Sequence, residues 1–122
     1  MGVFVGTVGV AMRINQRAFG RATVLDLEGE LDLFNTNQLK DALKQLVSSG
    51  DVRVIMNLAK VSYIDSAGIG VFLSMLKPLR EKGGDLKLAT PSAPVQKVFQ
   101  LTRLDQFFDT HGDIEAAEKS FR

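Results

Sequence analysis

An aspartate and a serine, Asp65 and Ser66, stand side by side where an apolar strand pattern gives way to a helical one. Gly68 and Gly70 follow within the first turns of that predicted helix. The first N–H groups of a helix lack partners within it, and the helix dipole makes this end positive. A phosphate on Ser66 would be tolerated better here than on most serines, and glycines would permit a close approach. The pattern indicates a site for a phosphorylation switch.

A simpler interpretation gives this pair no chemistry, because Ser and Asp are the commonest helix N-caps and a cap contributes about 1 kcal/mol. A hydrolase is a weaker alternative. Asp105 and His111 follow Ser66 in the order that α/β-hydrolases use, but 122 residues are too few for that sheet. Gly68-Ile69-Gly70 lacks the third glycine of a dinucleotide loop, and one histidine with scattered carboxylates predicts no metal site. We expect no enzyme and no cofactor.

Composition limits the class of protein. The chain has 122 residues, no cysteine and a net charge of +1. This length suits one domain, and the lack of cysteine excludes disulfides and fits a cytoplasmic protein. The low charge argues against nucleic-acid binding. Residues 1–11 are apolar, but they lack a basic flank and are too short to span a membrane. We expect them to form a flexible or accessory N-terminal extension to a domain over 12–122, without membrane contact.

The elements that must position Ser66 follow from hydrophobic periodicity. The predicted strands cover 12–19, 22–28, 52–58, 85–89 and 107–109, and residues 29–32 form a connection. The predicted helices are 35–47 with a capping box of Asn35 and Gln38, one from Ser66 to Gly83, one over 93–104 and one capped by Asp113. The first two strands should pair as a hairpin, and 52–58 should be central. This order predicts an α/β fold with a mixed central sheet of four to five strands, flanked by about four helices.

The predicted helix after Ser66 is apolar nearly all round. Its core stripe is Ile69, Leu73 and Leu76, and the apolar residues beside the stripe are Val71, Phe72 and Met75. Either a second core layer covers these residues, or they contact a partner beside the switch. The sequence leaves both possibilities open.

Four segments together resemble the STAS domain family, and within it the bacterial anti-sigma factor antagonists. They are Glu30-Leu31-Asp32 before a helix containing Thr36, Asn57-Leu58 closing a strand, the run 65–70, and Gly83-Gly84-Asp85-Leu86. The likeness extends over 12–121 in the family's order and spacing. One departure is Ala67, where many members carry a second serine.

The resemblance implies partner switching in transcription regulation. The unphosphorylated protein would bind an anti-sigma factor serine kinase and free the sigma factor. Phosphorylation of Ser66 by that kinase would end the binding, and a protein phosphatase would restore it. A phosphate beside Asp65 would make the surface strongly anionic and costly to desolvate against a partner.

The resemblance also supplies roles for individual residues. Ser66 corresponds to the family's phosphoacceptor, Asp65 to its acidic neighbour, and Asp32 to an acidic position that faces the kinase. The expected partner-binding residues are Asp32, Asp65, Ser66, Gly68, Ile69, Val71, Phe72 and Met75. The chain would be a monomer or weak dimer. A STAS regulatory subunit of a lipid transporter, or a stressosome scaffold, would have the same fold and motif and is the alternative.

Overall fold

A five-stranded sheet forms the centre of the fold, and the computed structural model describes residues 12–121 of the chain. The strands are β1 (Arg13–Phe19), β2 (Ala22–Leu31), β3 (Arg53–Ile64), β4 (Asp85–Ala89) and β5 (Asp109–His111). They lie in sequence order, with β1 antiparallel to β2 and the other neighbours parallel. The predicted hairpin, the central position of β3 and the mixed sheet are confirmed. The predicted N-terminal extension over 1–11 falls outside the described residues.

Four α-helices cover the sheet unequally. They are α1 (Thr36–Ser49), α2 (Ser66–Glu81), α3 (Ala93–Thr102) and α4 (Ile114–Lys119), and a 3-10 turn spans Leu104–Gln106. The main core contains side chains of α1, α2 and α3 on the sheet face of Leu25 and Met56. On the opposite face, Ala117 of α4 belongs to a smaller cluster with Val24 and Ile55. Because successive strand residues alternate between faces, β3 is buried on both sides, as its apolar run predicts.

The strands β2 and β3 are longer than predicted. Residues 29–31 were expected to form a connection, but they continue β2, with Gly29 at φ 118° and register shifts on both sides of it. Parallel pairing extends to the last residues of both strands, Leu31 opposite Ile64. The strand prediction stopped early because the side chains here are mostly polar, whereas the backbone pairing continues.

Two further predictions need correction. The capping box does not form, because the Asn35 side chain donates to the Glu30 carbonyl at 2.6 Å and the Gln38 side chain donates to the Met12 carbonyl at 3.1 Å. The last strand begins at Asp109, two residues later than predicted. Phe108 is buried and stacks on Phe99 in the main core, so it precedes the strand.

Candidate functional site

The carboxyl ends of β2 and β3 bring two loops together. Leu31 and Ile64 are paired neighbours at the ends of these parallel strands. The loop from β2 to α1 and the start of α2 must therefore leave the sheet side by side. We call the surface of Asp32, Leu33, Phe34, Asp65 and Ser66 the carboxyl edge.

Asp65 connects the two parts of the carboxyl edge. It is the N-cap of α2 in an extended conformation, and its Oδ1 accepts the N–H of Gly68 at 3.0 Å. Its Oδ2 accepts the N–H of Leu33 in the other loop at 3.2 Å. The Asp65 backbone N–H also donates to the Leu31 carbonyl at 3.2 Å. Asp65 is thus more than a source of negative charge, because its carboxylate fixes the β2–α1 loop against the helix.

Ser66 is the first residue of α2, and it is exposed. The N-cap interpretation therefore applies to Asp65, which stabilises the helix. Ser66 does not cap α2 and remains at the surface, where the phosphorylation interpretation needs it. A phosphate on Ser66 would lie at the positive end of a helix of 16 residues.

The two glycines of the motif have different surroundings. Gly68 is buried, and a Cβ added to it would lie 2.8 Å from the Leu31 carbonyl oxygen. Gly70 is exposed, and a Cβ added there would meet nothing within 4 Å. Gly68 therefore allows α2 to pack closely on the end of β2, and its expected role in partner binding stays a prediction.

The apolar face of α2 belongs to the core. Four of the expected partner-binding residues have small exposed fractions: Ile69 8%, Val71 7%, Phe72 0% and Met75 4%. The Phe72 ring packs edge-on against Phe99 and Phe108, with centroid separations of 6.3 and 6.1 Å. A second core layer thus covers this face, and the expectation that these side chains present a partner surface is wrong. Leu73, predicted for the core stripe, is instead 39% exposed.

The carboxyl edge exposes two apolar residues that hydrophobic periodicity did not indicate. Leu33 and Phe34 are 68% and 69% exposed. The loop holds them in place, because Asp32 Oδ1 accepts the N–H of Phe34 at 3.0 Å and the Asp32 carbonyl accepts the N–H of Asn35 at 3.0 Å. The sequence does contain a sign of this exposure. Leu33 and Phe34 are two apolar residues between a predicted strand and a predicted helix, and they fit the hydrophobic periodicity of neither element.

The residues of the hydrolase alternative do not converge on Ser66. His111 lies at the end of β5, where its Nε2 is 2.9 Å from the Asp109 carboxylate, and β4 separates β5 from β3. Within 12–121, no group of three or more His, Cys, Asp or Glu residues is arranged to hold a metal ion. No helix in the same range combines the length and the apolar content needed to cross a membrane.

Comparisons with known proteins give a consistent result. A family model for the STAS domain matches residues 11–117. The chain is 35% identical over 86 residues to the anti-sigma-B factor antagonist of Bacillus subtilis (strain 168), covering 70% of this chain and 77% of the relative.

Two solved structures of SpoIIAA are also similar, each at 27% identity. The anti-sigma factor antagonist SpoIIAA in its unphosphorylated form has a TM-score of 0.74, with 88% of this chain and 96% of that one covered. The phosphorylated form, described as a Bacillus cell fate determinant, has a TM-score of 0.69, with 90% and 100% covered.

Proposed function

Because the chain belongs to the STAS domain family, we propose that it is an anti-sigma factor antagonist whose binding to an anti-sigma factor is switched off by phosphorylation of Ser66. STAS antagonists of this kind are regulatory binding proteins and not enzymes. The observation that carries the proposal is the position of Ser66. It is exposed at the first turn of α2, beside the exposed Leu33 and Phe34, while Asp65 caps the helix.

The unphosphorylated carboxyl edge combines apolar and acidic groups. Full burial of a Leu or Phe side chain contributes about 1.5–3 kcal/mol, so Leu33 and Phe34 can supply much of the affinity for a partner. One Asp32 oxygen and both Asp65 oxygens accept backbone N–H groups, which orients these carboxylates. The partner surface that fits is an apolar pocket with a basic residue facing Asp32.

Phosphorylation would change this surface without unfolding it. A phosphate adds a charge of about −1.5 to −2 beside Asp65, and this charge must lose water if a partner covers it. The N-terminus of α2 stabilises the phosphate locally, so the domain stays folded while binding is lost. SpoIIAA, a relative with this fold, has been solved in unphosphorylated and phosphorylated forms, which supports the proposal. We propose further that the anti-sigma factor is itself the serine kinase and that a phosphatase reverses the modification.

Binding to the anti-sigma factor of the source organism, measured by calorimetry, tests the proposal. Ser66→Ala should bind as the wild type does and resist labelling by the kinase, whereas Ser66→Asp and the phosphoprotein should bind at least about tenfold more weakly. Ser48→Asp is the control, because Ser48 is an exposed serine in the last turn of α1. Equal binding by all these forms would contradict the switch. A pull-down that recovers a transporter ATPase in place of a serine kinase would support the alternative of a transporter regulatory subunit.

A further inference from the structure

The carboxyl edge stands on a part of the sheet that β2 and β3 form by themselves. β1 pairs with β2 no further than Glu28, and β4 pairs with β3 no further than Asn57. The pairing of β2 with β3 continues past both points to Leu31 and Ile64. Among residues 12–121, no third strand therefore lies beside 29–31 and 61–64, which we call the arm.

The two faces of the arm differ. Leu31 and Ile64 are buried in the main core, on the side of α1 and α2. Because successive strand residues point to opposite faces, the side chains of Glu30 and Tyr63 belong to the other face, which we call the outer face. Tyr63 is 49% exposed, and Glu30 is half-buried. The outer face thus presents an aromatic ring and a carboxylate directly beside the carboxyl edge.

Tyr63 and Glu30 are close enough to contact one group of a partner. They are paired neighbours on parallel strands, which lie about 4.8 Å apart. Their surroundings are acidic, because residues 28–32 and 60–66 contain four carboxylates and one lysine. A partner that covers this part of the molecule must therefore be basic.

We propose that the outer face extends the docking surface for the anti-sigma factor, and that an arginine of the partner lies between the Tyr63 ring and the Glu30 carboxylate. This inference rests on the proposed function. A guanidinium group stacks on an aromatic ring while it donates to a carboxylate, whereas a lysine ammonium is more strongly hydrated. The outer face is continuous with the carboxyl edge, since Tyr63 is three positions before Ser66. Tyrosine and arginine are also enriched among the residues that dominate binding energy.

Calorimetric titration of Tyr63 and Glu30 variants with the anti-sigma factor tests the contact. Tyr63→Phe keeps the ring and should bind within about twofold of the wild type, whereas Tyr63→Leu keeps only apolar bulk and should bind about fivefold more weakly. Glu30→Gln should bind about threefold more weakly. Because one arginine contacts both residues, the variant with Tyr63→Leu and Glu30→Gln should lose about fivefold and not the product of about fifteenfold.

Phe107→Leu and Glu81→Gln are the matched controls in this titration. Phe107 is 60% exposed and precedes the amino end of β5, and Glu81 is the last residue of α2. Both lie at the opposite end of the parallel strands from the carboxyl edge, so neither change should alter the affinity. Circular dichroism confirms that each variant is folded. Equal binding by the wild type, Tyr63→Leu and Glu30→Gln, or a double variant that loses the full product, would overturn the proposal.

Cross-linking tests directly whether the partner covers the outer face. The chain has no cysteine, so Tyr63→Cys and Phe107→Cys each give a single attachment site for a benzophenone maleimide. Illumination should join the anti-sigma factor to position 63 and not to position 107, and phosphorylation of Ser66 should abolish the product. Binding without a cross-link at position 63 would overturn this inference and leave the proposed function intact. If the wild type itself binds no anti-sigma factor, the proposed function fails and the inference fails with it.

Discussion

Two apolar segments lie near Ser66, and they do different things. The side chains of Val71, Phe72 and Met75 on α2 are at most 7% exposed, whereas Leu33 and Phe34 in the β2–α1 loop are 68% and 69% exposed. From the sequence, the first segment was expected to form a partner surface, and no such role was expected for the second. Apolar content near a site is therefore a poor guide to an interface, because a helix between several neighbours needs apolar residues on every covered side.

The neighbours of α2 explain its composition. It contacts α1, β3 and β4, and the rings of Phe99 and Phe108 lie against Phe72. Within residues 12–121 no such layer covers the loop, where Leu33 and Phe34 are exposed and their backbone N–H groups donate to Asp65 and Asp32. The same residue types thus stabilise the fold in one segment and are available for binding in the other.

Replacing Phe72 and Phe34 by alanine tests the difference between the buried face of α2 and the exposed loop. It should produce the largest change in the free energy of unfolding. Phe72→Ala should lower the free energy of unfolding by about 3–5 kcal/mol, because it opens a cavity between packed rings. Phe34→Ala should change it by no more than about 0.5 kcal/mol, while weakening anti-sigma factor binding about tenfold. Urea unfolding and calorimetric titration provide the two measurements. A large loss of stability in Phe34→Ala would show that the loop belongs to the core after all.

The two glycines sharpen the comparison within α2 itself. Gly68→Ala should destabilise the protein by about 1–3 kcal/mol, because the new methyl group would be forced against the Leu31 carbonyl. Gly70→Ala should be neutral or stabilise by up to about 1 kcal/mol, since it replaces an exposed helical glycine that has open space. Thermal and urea unfolding of both variants measure the difference. Similar values for the two would contradict the close packing of α2 on β2.

These results show what hydrophobic periodicity could and could not predict. The order of the elements, the central β3 and the Asp113 cap of α4 follow from local patterns, and the structure has them. The features that periodicity did not predict depend on contacts between residues distant in sequence. The Leu33 N–H bond to Asp65 spans 32 positions, and the burial of Gly68 depends on Leu31. No period within one segment reports either contact.

The Asp65-Ser66 motif could be recognised from the sequence, but which of the two residues caps α2 could not. Asp and Ser are both good N-caps, so their types alone do not decide which one caps α2. The extended backbone at Asp65 and its bond from the Gly68 N–H decide it. Ser66 then stays exposed, and its role as the phosphoacceptor remains a prediction.

Removing the Asp65 carboxylate tests whether it connects the loop to the helix. Asp65→Ala should lower the free energy of unfolding by about 2 kcal/mol, because both the cap and the bond to Leu33 are lost. Asp113→Ala is the control, since its side chain accepts the Ala116 N–H at the start of α4, and its loss should cost about 1 kcal/mol. Hydrogen exchange at Leu33 should accelerate only in Asp65→Ala. Unchanged exchange there would show that Asp65 does not hold the loop.

The smallest expected effect concerns two carboxylates that belong to neither apolar segment. Burial raises the pKa of Asp26, but hydrogen bonds from Arg17, Asn57 and Asn15 outweigh it, so the pKa lies below its ordinary value. The Arg17 Nε and the Asn57 Nδ2 are each 2.7 Å from a carboxylate oxygen. At Asp109, burial also raises the pKa, but the hydrogen bond from Lys87 and the adjacent His111 ring outweigh it, so this pKa too lies below its ordinary value.

The lowered pKa values of Asp26 and Asp109 change the free energy of unfolding with pH in the same direction. A carboxylate whose pKa is lower in the folded protein contributes stability above its unfolded pKa of about 3.9, and this contribution is lost as the pH falls through the folded pKa. The free energy of unfolding should therefore decrease between about pH 5 and pH 2, and Asp26→Asn should flatten this decrease. Urea unfolding across that range gives the slope, with Asp105→Asn as an exposed control. If Asp26→Asn kept the wild-type slope, the acid sensitivity would have to come from another carboxylate, and Asp109→Asn would be the next variant to measure.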